Sequence, residues 1–281
     1  MKKSLNGKTA IVTGASSGIG REVSLALGKL GVNVICSARN HESIKDVAGL
    51  IRIAGGKAVH KTTDVRSHQQ VEELIETAIR EFGKIDFLYN CAGILRGIGA
   101  SWEIEPEAWW EDVKTNLYGS FLCCHAVLPL MIKRDFGVII NFDGGGGTGH
   151  ANTGASGYGC SKAALVRLTE SIAGELKQIN SNVVVLCYHP GLVKTNMTSR
   201  ASSSQQGKMW LGRIREGFGT KKELPIEFSV DRAIQLTKIA CPELSGRAIR
   251  PEIGLDKLEQ ELMKINQEDL LVLRYKQLNN G

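Results

Sequence analysis

Short apolar runs and longer amphipathic stretches alternate along the chain. The runs "KTAIVT" (8–13), "VNVICS" (32–37), 57–62, "IDFLY" (85–89), 137–142 and "NVVVLC" (182–187) carry little polar interruption, as strands buried on both faces do. Between them, apolar positions recur at helical spacing over roughly 18–30, 41–54, 67–82, 105–134, 156–180 and 229–240. The alternation predicts an α/β fold: a Rossmann-type, doubly wound parallel sheet of about seven strands with helices on both faces, "GRAIR" (246–250) being the seventh strand. No repeat or linker divides the chain, so 1–281 is read as one domain. Residues 196–228, rich in Ser, Gly, Lys and Arg, make a long excursion between a strand and a helix and are expected to form a substrate loop or lid. Residues 252–281 are read as a helical C-terminal extension.

Composition adds little to this picture, and charge adds one feature. Hydrophobic residues make up 42% of the chain and charged residues 23%, as in an ordinary globular domain. The net charge of +6 is concentrated: Arg200, Lys208, Arg213, Arg215, Lys221 and Lys222 face a single acid, Glu216, within 196–222. A nucleic-acid partner would require a basic face with readout elements, and none is legible. The longest apolar stretch, "FLCCHAVLPLMI", is broken by His125 and Pro129 and reads as too short to span a bilayer. No signal-peptide core precedes the first strand. The seven cysteines have no metal-ligand spacing and point to free thiols in a reducing, cytoplasmic protein without a metal site.

"TGASSGIG" (13–20) follows the first strand and opens a helix. Gly14 permits a tight turn, Gly18 a close approach to a phosphate, and Gly20 close helix–strand packing. The N–H groups of the helix start then face an anion. This position makes 1–281 a dinucleotide-binding domain, with Ser16, Ser17 and Ile19 at the same turn. The second strand ends "CSARN", with Ala38 and Arg39 where a site for NAD(H) places an acid on the ribose. A cation beside a small neutral residue suits a 2′-phosphate, so NADP(H) is the expected cofactor, with NAD(H) the alternative.

Further along, "YGCSK" puts Tyr158 and Lys162 one helical turn apart. A neighbouring ammonium, together with a cationic nicotinamide, is expected to favour phenolate and bring the phenol toward acid/base range. His189 reads as a packing or backbone-bonding residue and Cys160 as pointing off the Tyr158 face. Trp109 and Trp110 read as packing or subunit contacts; His150 is open between substrate contact and surface.

Taken in order, "TGASSGIG", Asp64 in "TTDV", "NCAG" (90–93), Asn116 in "TNLYG", Tyr158 and Lys162 in "YGCSK" and "PGLVKT" (190–195) resemble the motif series of the short-chain dehydrogenase/reductase family across about residues 7–250. The resemblance implies hydride transfer between a nicotinamide and a carbonyl or secondary alcohol of a small-molecule substrate, in a homodimer or homotetramer with no nucleic-acid or membrane partner. It assigns proton donation to Tyr158, the ribose hydroxyls and tuning of Tyr158 to Lys162, and a water relay to Asn116. Asp64 would contact the adenine with Val65 beside it. Asn90, Ala92 and Gly93 would line the cofactor, as would Pro190, Gly191 and Val193, and Thr195 would hold the carboxamide.

Two departures stand out. Cys91 replaces an Asn. In "NFDGGGGTG" (141–149), Asp143 stands where the family places a catalytic Ser. The glycine N–H groups are one substitute donor. Asp143 would then accept from a substrate hydroxyl, which suits a hydroxylated substrate. A protonated Asp143, and Ser156 or Thr148, are the other substitutes. Loss of the donor would instead leave a weakly catalytic or non-catalytic NADP(H)-binding protein. The basic balance of 196–222 would suit an anionic substrate or carrier.

Overall fold

A computed structural model describes residues 4–274. Seven parallel strands lie in the order β3-β2-β1-β4-β5-β6-β7. They are β1 (Thr9–Thr13), β2 (Asn33–Ala38), β3 (Ala58–Thr62), β4 (Phe87–Asn90), β5 (Val138–Phe142), β6 (Val184–Tyr188) and β7 (Ala248–Ile249). The helices follow in chain order: α1 (Gly18–Lys29), α2 (His41–Ile53), α3 (His68–Phe82), α4 (Pro106–Val113), α5 (Gly119–Lys133), α6 (Ser156–Gln178), α7 (Asn196–Ser203), α8 (Gln205–Trp210), α9 (Gly212–Gly217), α10 (Ile226–Ile239), α11 (Leu255–Gln260) and α12 (Leu262–Gln267).

Every residue of β1, β4, β5 and β6 is buried, which is why these strands show no polar alternation. Successive residues still serve opposite faces. Ala10 and Val12 pack with α1, α2 and α10, whereas Ile11 packs with α3 and α5. The chain leaves β1 toward β2 and β3 on one side, then returns to β4 on the other. The crevice at the carboxyl ends of β1 and β4 is therefore the topological switch point, where such sheets bind ligands.

Three segments differ from the sequence reading. The expected helix 105–134 is continuous but contains a π-helical turn, Lys114–Tyr118, which inserts at Asn116. With that turn included, Pro106–Lys133 runs for 28 residues and is by length and composition able to cross a membrane, against the expectation from its apolar stretch alone. Half of its most apolar window is buried within the protein, where Leu122, Val127 and Met131 pack under the sheet. The expected loop 196–228 instead folds into α7, α8 and α9. Its apolar residues are too sparse for a helical period, but Ala201, Leu211, Met197 and Ile214 gather into one cluster. The expected C-terminal helix is two short helices, followed by a strap along the sheet edge. Leu271 accepts from the N–H of Ala248 (2.7 Å), Arg247 binds Asp269 (3.0 Å), and Leu273 packs on Val166, Cys187 and Ala248. The edge of β7 is thereby covered rather than left open for pairing. Residues 275–281 of that extension lie outside the described residues.

Candidate active site

A cleft of about 890 Å³ runs along the carboxyl ends of the strands, from the β1–α1 turn to the lid formed by α7–α9. At its β1 end the backbone is set by glycine. Gly14 has φ 67°, and a Cβ there would lie 2.8 Å from the N of Ala92; a Cβ on Gly20 would overlap the carbonyl oxygen of Gly14. No side chain fits either place, so α1 sits hard against β1. Ser16, Ser17, Gly18 and Ile19 line the cleft at its first turn. Ser17 makes no side-chain cap, so the unpaired N–H groups that every helix start carries stay uncapped by it. Arg39 stands exposed at the end of β2 beside Ala38. It makes no side-chain hydrogen bond or ion pair among the described residues.

The other cofactor assignments divide into two groups. Val65, Ala92, Gly93, Pro190, Gly191, Val193 and Thr195 line the cleft. The N–H of Ala92 donates to Thr13 Oγ1 (3.1 Å), and Thr195 caps α7 reciprocally with Thr198. Asp64 also lines the cleft, but both its oxygens already accept from Arg66 Nε (2.9 and 3.0 Å), and this pairing holds its carboxyl below the usual range. Arg66 is in turn bound to Glu111. Asn90 does not line the cleft. Its amide turns inward and donates to Asn141 Oδ1 (2.8 Å), whose own amide donates to Thr169 (2.9 Å). This buried chain ties β4, β5 and α6 together. Asn141 and Thr169 carried no sequence signal, because the chain exists only once three elements meet.

Asn116 is likewise a tie rather than a cleft residue. Its Oδ1 accepts from Ile94 N (2.8 Å), and its amide donates to Ile94 O (3.0 Å) and Ser161 Oγ (3.1 Å). The side chain expected to anchor a water relay is thus occupied in joining the π-helical turn to the post-β4 loop and α6. Asp112 holds the same loop by accepting from the N–H groups of Arg96 and Gly97.

Tyr158 and Lys162 meet at the lid end. Lys162 Nζ donates to the carbonyl of Phe142 (2.7 Å) and lies 5.6 Å from the Tyr158 ring centroid. Tyr158 packs under the lid with Ala155, Ala201 and Leu211, only 7% exposed. The protein groups by themselves favour the protonated phenol. Burial pushes Tyr158 well above its usual value, with Asp143 and Asp112 adding to the rise, while burial lowers Lys162. Desolvation outweighs the ammonium.

The strand end also differs from its reading. The residue against the Tyr158 hydroxyl is Gly144, not Asp143: a Cβ on Gly144 would overlap the phenolic oxygen. Asp143 is 4% exposed, and among the described residues no side chain pairs with either carboxylate oxygen. Gly147 lies directly over Oδ1, where any Cβ would overlap the carboxylate. Burial raises the Asp143 carboxyl to about 6, although the Gly144 N–H, Lys162 and Arg250 pull it down. Asp143 is part of the cleft wall, but both its oxygens are closed to solvent. Among the substitute hydroxyls, Ser156 is engaged by Trp109 Nε1 (3.2 Å) and Ser101 (3.1 Å). Thr148 lines the cleft with its hydroxyl unpartnered. Cys91 lines the cleft as a thiol pushed far up by burial. His189 accepts from the N–H of Gly191 (2.9 Å) and is lowered to about 4 by burial, so it is a neutral backbone-bonding residue, as read. His150 is exposed at the cleft wall, Cys160 is exposed, and Trp109 packs against α6. Of the basic segment, Arg213 and Lys222 line the cleft, joined by Arg250; Arg213 binds Asn152.

A doubly wound sheet with a glycine cradle at one end of its crevice and a buried Tyr–Lys pair at the other defines a nucleotide-dependent oxidoreductase. The chain belongs to the short chain dehydrogenase family, whose profile matches residues 8–206. It is 31% identical to a short chain dehydrogenase of Pseudocercospora fijiensis, over 92% of this chain and 85% of that one. It is 33% identical to a putative ketoacyl reductase of Streptomyces coelicolor, over 87% and 85%. A 3-oxoacyl-[acyl-carrier-protein] reductase of Synechocystis is 34% identical, over 71% and 79%. Among solved structures, a variant of actinorhodin polyketide ketoreductase with NADPH superposes with a TM-score of 0.76 at 30% identity, covering 89% of this chain and 97% of that one.

Proposed function

We propose that the protein is an NADP(H)-dependent reductase that converts a carbonyl group to a secondary alcohol and, in reverse, oxidises the alcohol. The observation that carries this reading is the buried Tyr158–Lys162 pair under the lid, in one cleft with the glycine cradle of β1–α1. The cradle fits a dinucleotide, because its glycines leave no room for side chains where a pyrophosphate would approach the start of α1. Arg39, exposed and without an ion pair among the described residues, would hold the 2′-phosphate through charge-assisted bonds, with Ala38 rather than an acid beside it at the end of β2. Lys162 would hold the ribose hydroxyls, and 190–195 the nicotinamide. The NADPH of the solved relative supports the same choice. When bound, the nicotinamide supplies hydride to the carbonyl carbon or takes it from the alcohol.

Tyr158 then gives its proton to the developing alkoxide, and the lid residues exclude water from that transfer. Lys162 is held toward the site by the carbonyl of Phe142. Gly144 offers no hydroxyl to the substrate oxygen, and the backbone N–H groups of the glycine run would take that donor role. A non-catalytic role is disfavoured by the intact Tyr158–Lys162 pair and by the reductases among the relatives. Replacing Tyr158 by Phe should lower turnover at least ~10²-fold while cofactor affinity holds. Unchanged turnover on the true substrate would remove Tyr158 from the chemistry.

The substrate is anionic in this reading, because Arg213, Lys222 and Arg250 line the cleft. Arg215, also expected to contribute, is exposed and off the cleft wall. Raising ionic strength should raise KM several-fold, and Lys222→Glu should abolish that response. A KM indifferent to salt in both proteins would point to a neutral substrate. The free thiols of all seven cysteines suit a reducing cytoplasm. Self-association would use the apolar face where Trp110, Tyr118 and Phe121 stand exposed on the α4–α5 helix.

A further inference from the structure

Asp143 is an acid buried at the reaction end of the cleft, and among the described residues no side chain pairs with its carboxylate. Buried polar groups are normally paired, so such an exception calls for a reason. The backbone places it between the two reacting groups. Lys162 Nζ binds the carbonyl of the residue before it, and the Tyr158 hydroxyl lies against the residue after it. Gly147 covers Oδ1, and both oxygens are closed to solvent. A carboxylate whose oxygens are closed to solvent acts on the groups beyond its contacts through its field. That field is weakly screened in a dry interior.

We infer that Asp143 is a positioning residue whose sealed carboxylate keeps the proton on Tyr158 and on Lys162, and so holds the site in its proton-loaded, carbonyl-reducing form to higher pH than the pair alone would allow. The inference rests on Tyr158 as the proton donor. The signs are fixed by charge. A carboxylate opposes the formation of phenolate and favours ammonium, and its field raises both Tyr158 and Lys162. The other groups around the cluster leave this role to Asp143. Cys187 on β6 and Cys91 after β4 are thiols pushed far above neutrality by burial. Arg250, after β7, is a fixed cation that pulls Asp143 toward its ionised form. Asp112 on α4 also raises Tyr158, but its oxygens are bonded by the Arg96 and Gly97 N–H groups. Two cations, Lys162 and Arg250, favour the ionised form of Asp143.

The test is Asp143→Asn, which keeps the shape and removes the charge. Phenolate absorbance is titrated against pH with Tyr158→Phe as the blank, and kcat/KM for reduction and for alcohol oxidation is measured over the same range. The Tyr158 titration and the alkaline fall of reduction should both move down by about one pH unit or more, with oxidation gaining at the lower pH. Asp143→Ser, also uncharged, must shift both in the same direction and serves where the Asn variant does not fold. A lower kcat with both inflections unmoved, or moved upward, overturns the inference. Normal turnover in Tyr158→Phe would instead strike the underlying reading, while the phenolate titration still decides the role of Asp143.

Discussion

The two ends of the cleft are built by different physics. At the β1–α1 end the constraints are steric and local. Gly14 and Gly20 are required by backbone atoms within a few residues or on the adjacent strand, and the outcome depends on shape. At the Tyr158 end the constraints are electrostatic and collective. The state of Tyr158 is set by the lid that buries it, by Asp143 on the neighbouring strand end and by Lys162 a turn away. A glycine does the same work wherever the turn recurs; a phenol or a carboxyl takes its properties from whatever surrounds it. The first end therefore tolerates little substitution but is easily recognised. The second can change residue by residue while its fold stays constant.

The sharpest way to break this contrast is at the one place where sterics govern the reaction end. Gly144→Ser would restore a strand-end hydroxyl, but its Cβ overlaps the Tyr158 hydroxyl and the ring must move. Displacement of a catalytic group by about 1 Å costs roughly 10²-fold, so this variant should be slower in kcat than the unmodified protein. Improved turnover would mean that Tyr158 relaxes freely and that the missing hydroxyl was the real defect.

A smaller effect separates function from stability at Asp143. Its carboxyl is raised in the fold to about 6 from an ordinary 3.8. Below both values it is neutral in the folded and unfolded chain alike. As pH rises between them, the unfolded chain ionises first and the fold loses stability, and above about 6 the loss is constant. The loss is on the order of 2–3 kcal/mol, at 1.36 kcal/mol per unit. Asp143→Asn should lack this dependence, so its stability advantage over the unmodified protein should grow between about pH 4 and 6 and then level off. Denaturant midpoints at several pH values measure it; parallel curves would mean that the carboxyl is hydrated.

The smallest effect lies at the other end. Arg39→Ala should weaken NADPH about tenfold, the worth of one charge-assisted contact of ~1.5 kcal/mol, and leave NADH unchanged. Calorimetric titration of both nucleotides checks it. Equal weakening of the two would show that Arg39 supports the turn itself rather than reading a phosphate.

Legibility follows the same division. The strands were readable because each is buried along its length, and the glycine turn because its position after β1 has few alternatives. Tyr158 and Lys162 were readable as an i, i+4 pair on one helix. Asp143 was misplaced by one residue, since counting back from Tyr158 assumes a loop length that only the folded glycine run settles. The lid helices were missed because Met197, Ala201, Leu211 and Ile214 are too sparse to mark a continuous helix and are buried by distant residues, Leu95, Ile98, Ala155 and Tyr158. Asn90 and Asn116 carried family positions in the sequence, yet the structure spends both on joining elements. Local backbone sterics and the burial pattern are written into consecutive residues, so the sequence alone determined the sheet, the cradle and the Tyr–Lys pair. Hydrogen-bond partners and proton affinities depend on groups distant in the chain, so only the tertiary structure decided which of those residues face the cleft and how deeply Tyr158 and Lys162 are buried.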